Sequence, residues 1–176
     1  MKFSKITISG KICTGKTTLL KDLQNKLGWP VFLTGKYFRD YVDKKNLNLE
    51  KVDEQNKKLT KEVDFEVRDL LNKKGYLIVD GWMSGLMAKN LSDVLKVLLI
   101  CDDYIRYQRF ASREKINFDE AKRKVEERQN NWFKKIEKIH EIKSGEFIDP
   151  KNYNLIIDTT NISSDEVVKK VLEYLQ

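Results

Sequence analysis

The sequence predicts a three-layer α/β/α fold built on a five-stranded parallel sheet. Short apolar stretches alternate along the chain with longer stretches of helical spacing. The stretches at 76–79 and 94–101 are apolar almost without interruption, which is typical of strands that a parallel sheet buries on both faces. Strands that alternate with helices imply right-handed βαβ crossovers, and these crossovers place helices on both faces of the sheet.

The strands are predicted from apolar and β-branched runs that have turn residues at their ends. The first run ends in Ile6, Thr7 and Ile8 before a glycine-rich loop. The second run follows Gly-Trp-Pro at 28–30, a sequence that stops a helix. The five predicted strands lie at 3–9, 31–33, 76–79, 94–101 and 153–158.

The helices are predicted from apolar residues that recur every three to four positions. The first helix, for example, carries Leu19, Leu20, Leu23 and Leu27. The predicted helices lie at 16–27, at 36–74 with a break near 46–48, at 104–143 and at 164–175. Because no repeat, low-complexity tract or linker interrupts this order, we expect a single domain over residues 1–176.

Composition argues against several classes of protein. The 176 residues are 40% hydrophobic, which is enough for one sizeable core. They contain no run of eighteen apolar residues, and the first residues lack the apolar segment of a signal peptide. Two cysteines are too few for a disulfide framework in a chain of this length. We therefore expect a cytoplasmic protein without a membrane partner, and we expect a monomer or a weak dimer.

The net charge is +7, from 34 basic and 27 acidic residues. Excess positive charge attracts phosphorylated partners, either nucleotides or nucleic acid. The lysines are scattered among glutamates, however, and this mixing is typical of a solvated surface. Composition therefore leaves nucleic-acid binding open without favouring it, and we expect small-molecule partners.

The sequence Gly-Lys-Ile-Cys-Thr-Gly-Lys-Thr at 10–17 fits the phosphate-binding pattern G-x-x-x-x-G-K-[ST] completely. Gly10 and Gly15 permit the backbone angles that turn successive amides around a phosphate. Lys16 can reach the outer phosphates, and the Thr17 hydroxyl can ligate Mg²⁺. The motif lies between a predicted strand and a predicted helix, as a P-loop requires. The predicted ATP contacts are Gly10, Lys11, Ile12, Cys13, Thr14, Gly15, Lys16, Thr17 and Thr18.

Asp80 directly follows the apolar strand at 76–79. Its carboxylate is expected at the carboxyl edge of the sheet, where open α/β folds bind their ligands. There it could hold Mg²⁺ through a water or orient an acceptor. Asp80-Gly81 is also an ordinary turn dipeptide. Given the loop, we predict a metal site formed by Thr17 and Asp80.

The long predicted helix carries several arginines, namely Arg106, Arg109, Arg113, Arg123 and Arg128. Phosphoryl transfer needs positive groups around the migrating phosphate, and arginine supplies them with a bidentate fork. The alternative is a solvated helix face on which these arginines pair with glutamates.

Nearly end to end, the chain resembles the P-loop nucleoside monophosphate kinases, and in particular the short archaeal-type cytidylate kinases. Besides the P-loop, the segments that carry the resemblance lie at 34–39, 79–85, 106–115, 127–128 and 153–160. The resemblance implies a helical monophosphate-binding excursion at about 36–74 and a short lid at about 112–122. It also implies ATP-dependent phosphoryl transfer, with Mg²⁺, to a nucleoside monophosphate such as CMP or dCMP.

The resemblance also implies roles for particular residues. It places Thr159 beside the adenine of ATP. The catalytic residues it implies are Lys16, Asp80, Arg109, Arg113 and Arg128. The acceptor-binding residues it implies are Thr34, Arg39, Gly81, Trp82, Trp132 and Lys135. We expect His140, the single histidine of the chain, to be a surface or packing residue.

The sequence departs from the family pattern around the acceptor. Trp82 stands where an arginine is expected, so one cation that would contact the monophosphate is missing. Trp132 and Lys135 stand where the family tends to have an acid and an arginine that help to recognise the acceptor. An indole cannot accept a hydrogen bond, and lysine lacks the bidentate fork. Trp82 either stacks on a base or fills core space.

Cys13 stands at a loop position where the family usually has glycine. Two interpretations stay open: the loop tolerates a small residue there, or the helix terminus and Lys16 lower the pKa of its thiol.

These departures keep two other functions open. One is a P-loop kinase for another nucleotide, a nucleoside or a small hydroxyl metabolite. The other is a nucleotide-binding protein with little transferase activity, recruited to RNA through its positive charge.

Overall fold

The computed structural model describes residues 2–37, 40, 57–143 and 145–175, and the statements below concern these residues. Its sheet has five parallel strands in the order β2-β3-β1-β4-β5. The strands are β1 (Lys5–Gly10), β2 (Val31–Leu33), β3 (Leu77–Asp80), β4 (Val94–Ile100) and β5 (Leu155–Asp158). The predicted five-stranded parallel sheet is confirmed.

Helices connect consecutive strands, as a parallel sheet requires. They are α1 (Lys16–Leu27), α2 (Lys57–Asn72), α3 (Ser84–Met87), α4 (Asp103–Glu114), α5 (Phe118–His140) and α6 (Ser164–Leu175). Residues 34–37 are also helical. Short 3₁₀ turns lie at Glu146–Ile148 and Pro150–Asn152. Within the described part of the chain, no helix is both long and apolar enough to cross a bilayer.

The single long helix predicted at 104–143 is wrong, because α4 and α5 are separate helices. Lys115 is left-handed (φ 56°) and its N–H bonds to Ala111 O, which ends α4. The Asn117 side chain then accepts a hydrogen bond from Glu120 N at 2.9 Å and begins α5. Both helices have charged outer faces, so the pattern of charged and apolar residues is alike on either side of the break. Helical spacing alone therefore did not reveal it. The predicted break at 46–48 lies outside the described residues.

The sheet is buried on both faces, which confirms the three-layer prediction. Alternate residues of β3 illustrate the arrangement: Ile78 packs with α1 and α6, whereas Val79 packs with Val67 and Leu71 of α2. Each fully buried aliphatic side chain contributes about 1.5–3 kcal/mol to folding. Two smaller apolar clusters lie near the carboxyl edge of the sheet, one around Ile12 and the other around Phe147.

Candidate active site

The loop between β1 and α1 lies at the carboxyl edge of the sheet. Both glycines of the phosphate-binding motif have positive φ. Gly10 has φ 147° and Gly15 has φ 94°. A Cβ at Gly10 would collide with the carbonyl oxygen of Leu99 and lie 2.7 Å from Thr14 Oγ1. A Cβ at Gly15 would meet no described atom within 4 Å. Gly10 is therefore required by both space and backbone angle, and Gly15 by backbone angle.

Cys13 also has a left-handed backbone, with φ 61°. This conformation costs a non-glycine residue roughly 1–2 kcal/mol. Burial raises the pKa of its thiol, although the positive charges of Arg113 and Lys16 act in the opposite direction. The hypothesis of a lowered thiol pKa is therefore wrong, and the geometry supports a small residue that the loop tolerates.

Lys16 is the first residue of α1, and its ammonium turns back over the loop. Its Nζ donates a hydrogen bond of 2.8 Å to Lys11 O and lies 5.9 Å from the ring of Trp82. Burial lowers the pKa of Lys16, and the positive charges of Arg106 and Arg128 act in the same direction. Asp80 opposes this shift. An anion entering the loop would therefore meet a poorly solvated ammonium whose neighbours are also positive.

The structure brings four predicted site residues together where β1 and β3 end. Thr17 Oγ1 donates to Asp80 Oδ2 at 2.8 Å, and Thr34 Oγ1 donates to Asp80 O at 2.9 Å. A Cβ at Gly81 would lie 2.9 Å from the Thr34 side chain, so glycine allows this approach. Asp80 is buried, with 6% exposure.

The Thr17 and Asp80 oxygens fit a magnesium site of the kind found beside phosphates. Mg²⁺ prefers oxygen ligands and is commonly bound through one or two protein groups together with substrate phosphates and water. Among the described residues, no group of three or more His, Cys, Asp and Glu side chains could hold a metal alone. A cation here would accordingly take its remaining ligands from a bound phosphate and from water.

The arginines of α4 and α5 fall into two groups. Arg106 and Arg109 reach inward. Arg106 is 1% exposed, and its Nε donates to Ile12 O at 2.7 Å, with further bonds to Asp103 and Gln129. Arg109 donates to Thr159 O at 2.6 Å and to Thr159 Oγ1 at 3.2 Å.

Arg113 and Arg128 lie near the surface. Arg113 Nε donates to Glu114 at 2.8 Å, and its guanidinium lies 5.0 Å from the Phe110 ring centroid. Arg128 is exposed, yet its charge acts on Lys16. Both guanidiniums thus lie within electrostatic reach of the loop, since Arg113 acts on Cys13.

Thr159 follows β5 and is 4% exposed. Its Oγ1 lies 3.0 Å from Thr14 O and 3.1 Å from Ile100 O, so its one proton is shared between two carbonyl oxygens. The side chain therefore links the loop to the ends of β4 and β5.

The two unexpected tryptophans pack against each other. The ring centroids of Trp82 and Trp132 are 4.1 Å apart, and Trp82 is also stacked on Phe147 at 6.0 Å. Trp82 borders both small apolar clusters, so it fills core space in the free chain. Stacking on a base stays a prediction. Lys135 is buried on α5.

His140 Nε2 lies 2.7 Å from Asp64 Oδ2 and joins the end of α5 to α2. This contact fits the expectation of a packing residue. Arg39 lies outside the described residues.

Sequence reasoning missed Arg106 as a residue of the site, because its spacing does not distinguish it from the four other arginines of this stretch. Only the packing of α4 against the loop singles it out.

A five-stranded parallel sheet with this loop after its central strand defines a nucleotide-binding protein of the P-loop class. Residues 6–131 match the family described as the AAA domain. A cytidylate kinase from Saccharolobus islandicus is 31% identical over 173 residues, covering 97% of this chain and 89% of its own. A cytidylate kinase from Methanopyrus kandleri is 30% identical over 175 residues, and the match covers 92% of this chain and 87% of the relative. The chain belongs to the P-loop nucleoside monophosphate kinase family and is an enzyme of that class.

Among solved structures, a shikimate kinase from Acinetobacter baumannii in complex with shikimate has a TM-score of 0.63 and 14% identity. The match covers 98% of this chain and 93% of that one. At this identity the likeness concerns the fold alone.

Proposed function

We propose that this kinase transfers a phosphoryl group from ATP to a nucleoside monophosphate, with CMP or dCMP as the leading acceptor and CDP or dCDP as the product. The observation that carries the proposal is the 2.8 Å contact between Thr17 Oγ1 and Asp80 Oδ2, at the mouth of the phosphate-binding loop. It joins the loop's hydroxyl to a buried carboxylate on the neighbouring strand.

ATP would place its β- and γ-phosphates in the loop formed by 10–17. The start of α1 offers free N–H groups and the positive end of the helix dipole to those phosphates. Lys16 would exchange its 2.8 Å bond to Lys11 O for a phosphate oxygen. Mg²⁺, held through Thr17 and Asp80, would neutralise charge on the phosphates.

Transfer would need the two substrates in line and the developing charge stabilised. Lys16 would act on the phosphate from the loop side, and Arg113 and Arg128 from the lid side. Arg109 already bonds to Thr159, so its part would be to hold the loop's surroundings and to add positive charge. No covalent intermediate is required, and closure of the lid would exclude water as a competing nucleophile.

The acceptor would lie on the other side of Asp80, next to Thr34 and Gly81. These residues contact each other, and the predicted monophosphate contact Arg39 follows Thr34 by five positions. The two cytidylate kinases at 31% and 30% identity support CMP as the acceptor.

A second candidate is the same phosphoryl transfer to a different acceptor. It is favoured by Trp82, which replaces a cation with an indole that packs on Trp132 at 4.1 Å. If a polar group of the acceptor is buried beside Trp82 without a hydrogen-bond partner, binding of that acceptor weakens by about 1–3 kcal/mol. This corresponds to roughly ten- to a hundredfold in selectivity.

A panel of acceptors separates these possibilities. ADP release is measured with CMP, dCMP, UMP, AMP, GMP, cytidine and shikimate at equal concentrations. We expect CMP or dCMP to give the highest kcat/KM. Faster turnover with a nucleoside, AMP or shikimate would overturn the choice of acceptor. ATP binding without ADP release in any reaction would instead indicate a nucleotide-binding protein.

The acceptor site is tested by Arg39→Ala, with Arg123→Ala as the matched control. Arg123 is an exposed arginine that pairs with Glu127 at 3.5 Å. We expect Arg39→Ala to raise the KM for the monophosphate at least tenfold while the KM for ATP stays within twofold. We expect Arg123→Ala to change neither constant. An equal rise of both constants in Arg39→Ala would contradict this assignment.

A further inference from the structure

The outer side of the phosphate-binding loop is held by side chains from distant parts of the chain. Arg106 Nε on α4 donates to Ile12 O at 2.7 Å. Thr159 Oγ1, after β5, donates to Thr14 O at 3.0 Å. Arg109 Nη1 makes a longer contact of 3.4 Å with Cys13 O, the carbonyl between those of Ile12 and Thr14 in the sequence. Three successive loop carbonyls therefore face side-chain donors.

These carbonyls point into the body of the protein, since Arg106 is 1% and Thr159 is 4% exposed. Every peptide bond among the described residues is trans. In a planar trans peptide, the C=O of one residue and the N–H of the next point in opposite directions. Holding Ile12 O inward therefore turns the N–H of Cys13 outward, and holding Thr14 O does the same for Gly15.

Those N–H groups are the ones a phosphate would use. The structure gives the amides of Cys13 and Gly15 no acceptor within the described part of the chain. A Cβ on Gly15 would also meet no described atom within 4 Å, so the loop has open space beside it. Outward amides without an acceptor are available to hold an anion.

The 12–13 peptide has a particular need for such support. Cys13 adopts φ 61°, a conformation that glycine accepts freely and cysteine does not. Without an external partner for Ile12 O, rotation of this peptide would relieve the strain at Cys13. The rotation would also turn the Cys13 N–H away from the phosphate.

We propose that Arg106 is a positioning residue for ATP: its bond to Ile12 O keeps the 12–13 peptide in the phosphate-binding orientation against the preference of Cys13. The inference rests on the proposed role of the loop in binding ATP. Arg106 contacts no substrate atom in this scheme. Its bonds to Asp103 and to Gln129 of α5 fix the guanidinium, and they connect the loop to the helices that flank the lid.

The test is a double-mutant cycle of Arg106→Met with Cys13→Gly. Methionine keeps much of the side-chain volume but cannot donate to Ile12 O. We expect Arg106→Met to raise the KM and the Kd for ATP about tenfold, equivalent to about 1.4 kcal/mol. The KM for the monophosphate should stay within twofold. Cys13→Gly should lower the ATP Kd at least threefold more in the Arg106→Met background than in the parent, because glycine removes the strain.

Arg123→Met, at an exposed position of α5, is the matched control and should leave the ATP Kd unchanged. Thermal melting reports whether Arg106→Met folds. If it does not, Arg106→Lys enters the same cycle, since lysine can satisfy only part of the guanidinium's contacts.

The inference is overturned if the ATP Kd is unchanged in the folded Arg106 variant. It is also overturned if both substrate KM values rise together, or if Cys13→Gly has the same effect in both backgrounds. A parent protein that does not bind ATP would overturn the proposed function as well. A parent that binds ATP as well as its Arg106 variant does would overturn this inference alone.

Discussion

Thr17 Oγ1 donates a 2.8 Å hydrogen bond to Oδ2 of Asp80, a residue 63 positions further along the chain. The parallel register explains how they meet. Ile8 of β1 is paired with Asp80 of β3, so the loop that follows β1 starts beside the end of β3. The helix that begins at Lys16 then carries the hydroxyl to the carboxylate.

We expect Asp80→Asn to lower kcat by ten- to a hundredfold and to raise the Mg²⁺ concentration needed for half-maximal activity. The amide keeps the size of the side chain but removes the negative charge, and hydrogen bonds to charged groups are worth about 1.5–3 kcal/mol. Turnover measured as a function of Mg²⁺ concentration checks this.

Asp93→Asn is the matched control for that substitution. Asp93 pairs with the buried Lys5 at 2.5 Å, near the amino ends of β1 and β4 and away from the loop. It should lower the melting temperature without changing the Mg²⁺ dependence. The same Mg²⁺ dependence in Asp80→Asn and the parent would contradict the metal site.

Lys16→Ala should abolish turnover and leave the fold intact. The lysine is the loop's ammonium, and within the described part of the chain its Nζ donates one hydrogen bond, to the carbonyl of Lys11 in the same loop. Steady-state kinetics measure the loss of turnover, and circular dichroism shows whether the fold is intact. Substantial activity in a folded Lys16→Ala protein would refute the site assignment.

The activity should fall at alkaline pH earlier than an ordinary lysine would titrate. Burial lowers the pKa of Lys16 from 10.5, and only the charged form attracts phosphate. As pH rises through this lowered pKa, kcat/KM for ATP should therefore decrease, since this ratio reports groups of the free enzyme. Lys16→Arg, which stays charged, should have a lower plateau without this decrease.

As pH rises, the effect of Lys16 on stability is opposite to its effect on activity. The folded pKa of Lys16 lies below its unfolded value, so the unfolded state binds more protons between the two values. Lys16 therefore makes the free energy of unfolding rise with pH in the window where kcat/KM falls. A parallel decrease of both quantities would indicate alkaline unfolding and contradict the assignment to Lys16.

The two loop glycines should respond differently to alanine. Gly10→Ala places a Cβ against Leu99 O and Thr14 Oγ1, and we expect it to lower the free energy of unfolding by about 3 kcal/mol or more. Gly15→Ala meets no described atom and should lose only about 1–2 kcal/mol, from its φ of 94°. Urea denaturation measures both losses. Equal losses would show that space around Gly10 is not limiting.

The Asp64–His140 contact should stabilise the packing of α2 on α5. Both side chains are only 12% exposed, and their atoms are 2.7 Å apart. A double-mutant cycle of Asp64→Asn and His140→Gln should give a coupling energy of about 1–3 kcal/mol in urea denaturation.

The exposed pair Lys169 and Glu173, 3.8 Å apart on α6, serves as the comparison. Its coupling should be below about 0.5 kcal/mol, because water screens exposed charges. A buried pair that couples no more strongly than this one would contradict the predicted role of His140.

Much of the fold could be predicted because its signals are local. The apolar runs around Ile78 and Leu98 indicate buried strands, and α1 and α6 have the bounds that helical spacing predicted. The break between α4 and α5 was missed, although Asn117 and Glu120 have the spacing of a helix N-cap. The short helix α3 was missed as well, since a single turn gives no periodic pattern.

The sequence by itself determined the phosphate-binding loop with its lysine and threonine, because adjacent residues form that loop and its pattern is specific. The kinase class followed from the order and spacing of several further segments that resemble the family. The tertiary structure decided that Arg106 and Arg109, of five similar arginines, reach inward. Arg106 reaches Ile12 across 94 positions, a contact set by how α4 packs on the loop. It also decided that Trp82 packs with Trp132 and Phe147. Such long-range contacts depend on the packing of whole elements, and a local pattern of residues does not encode them.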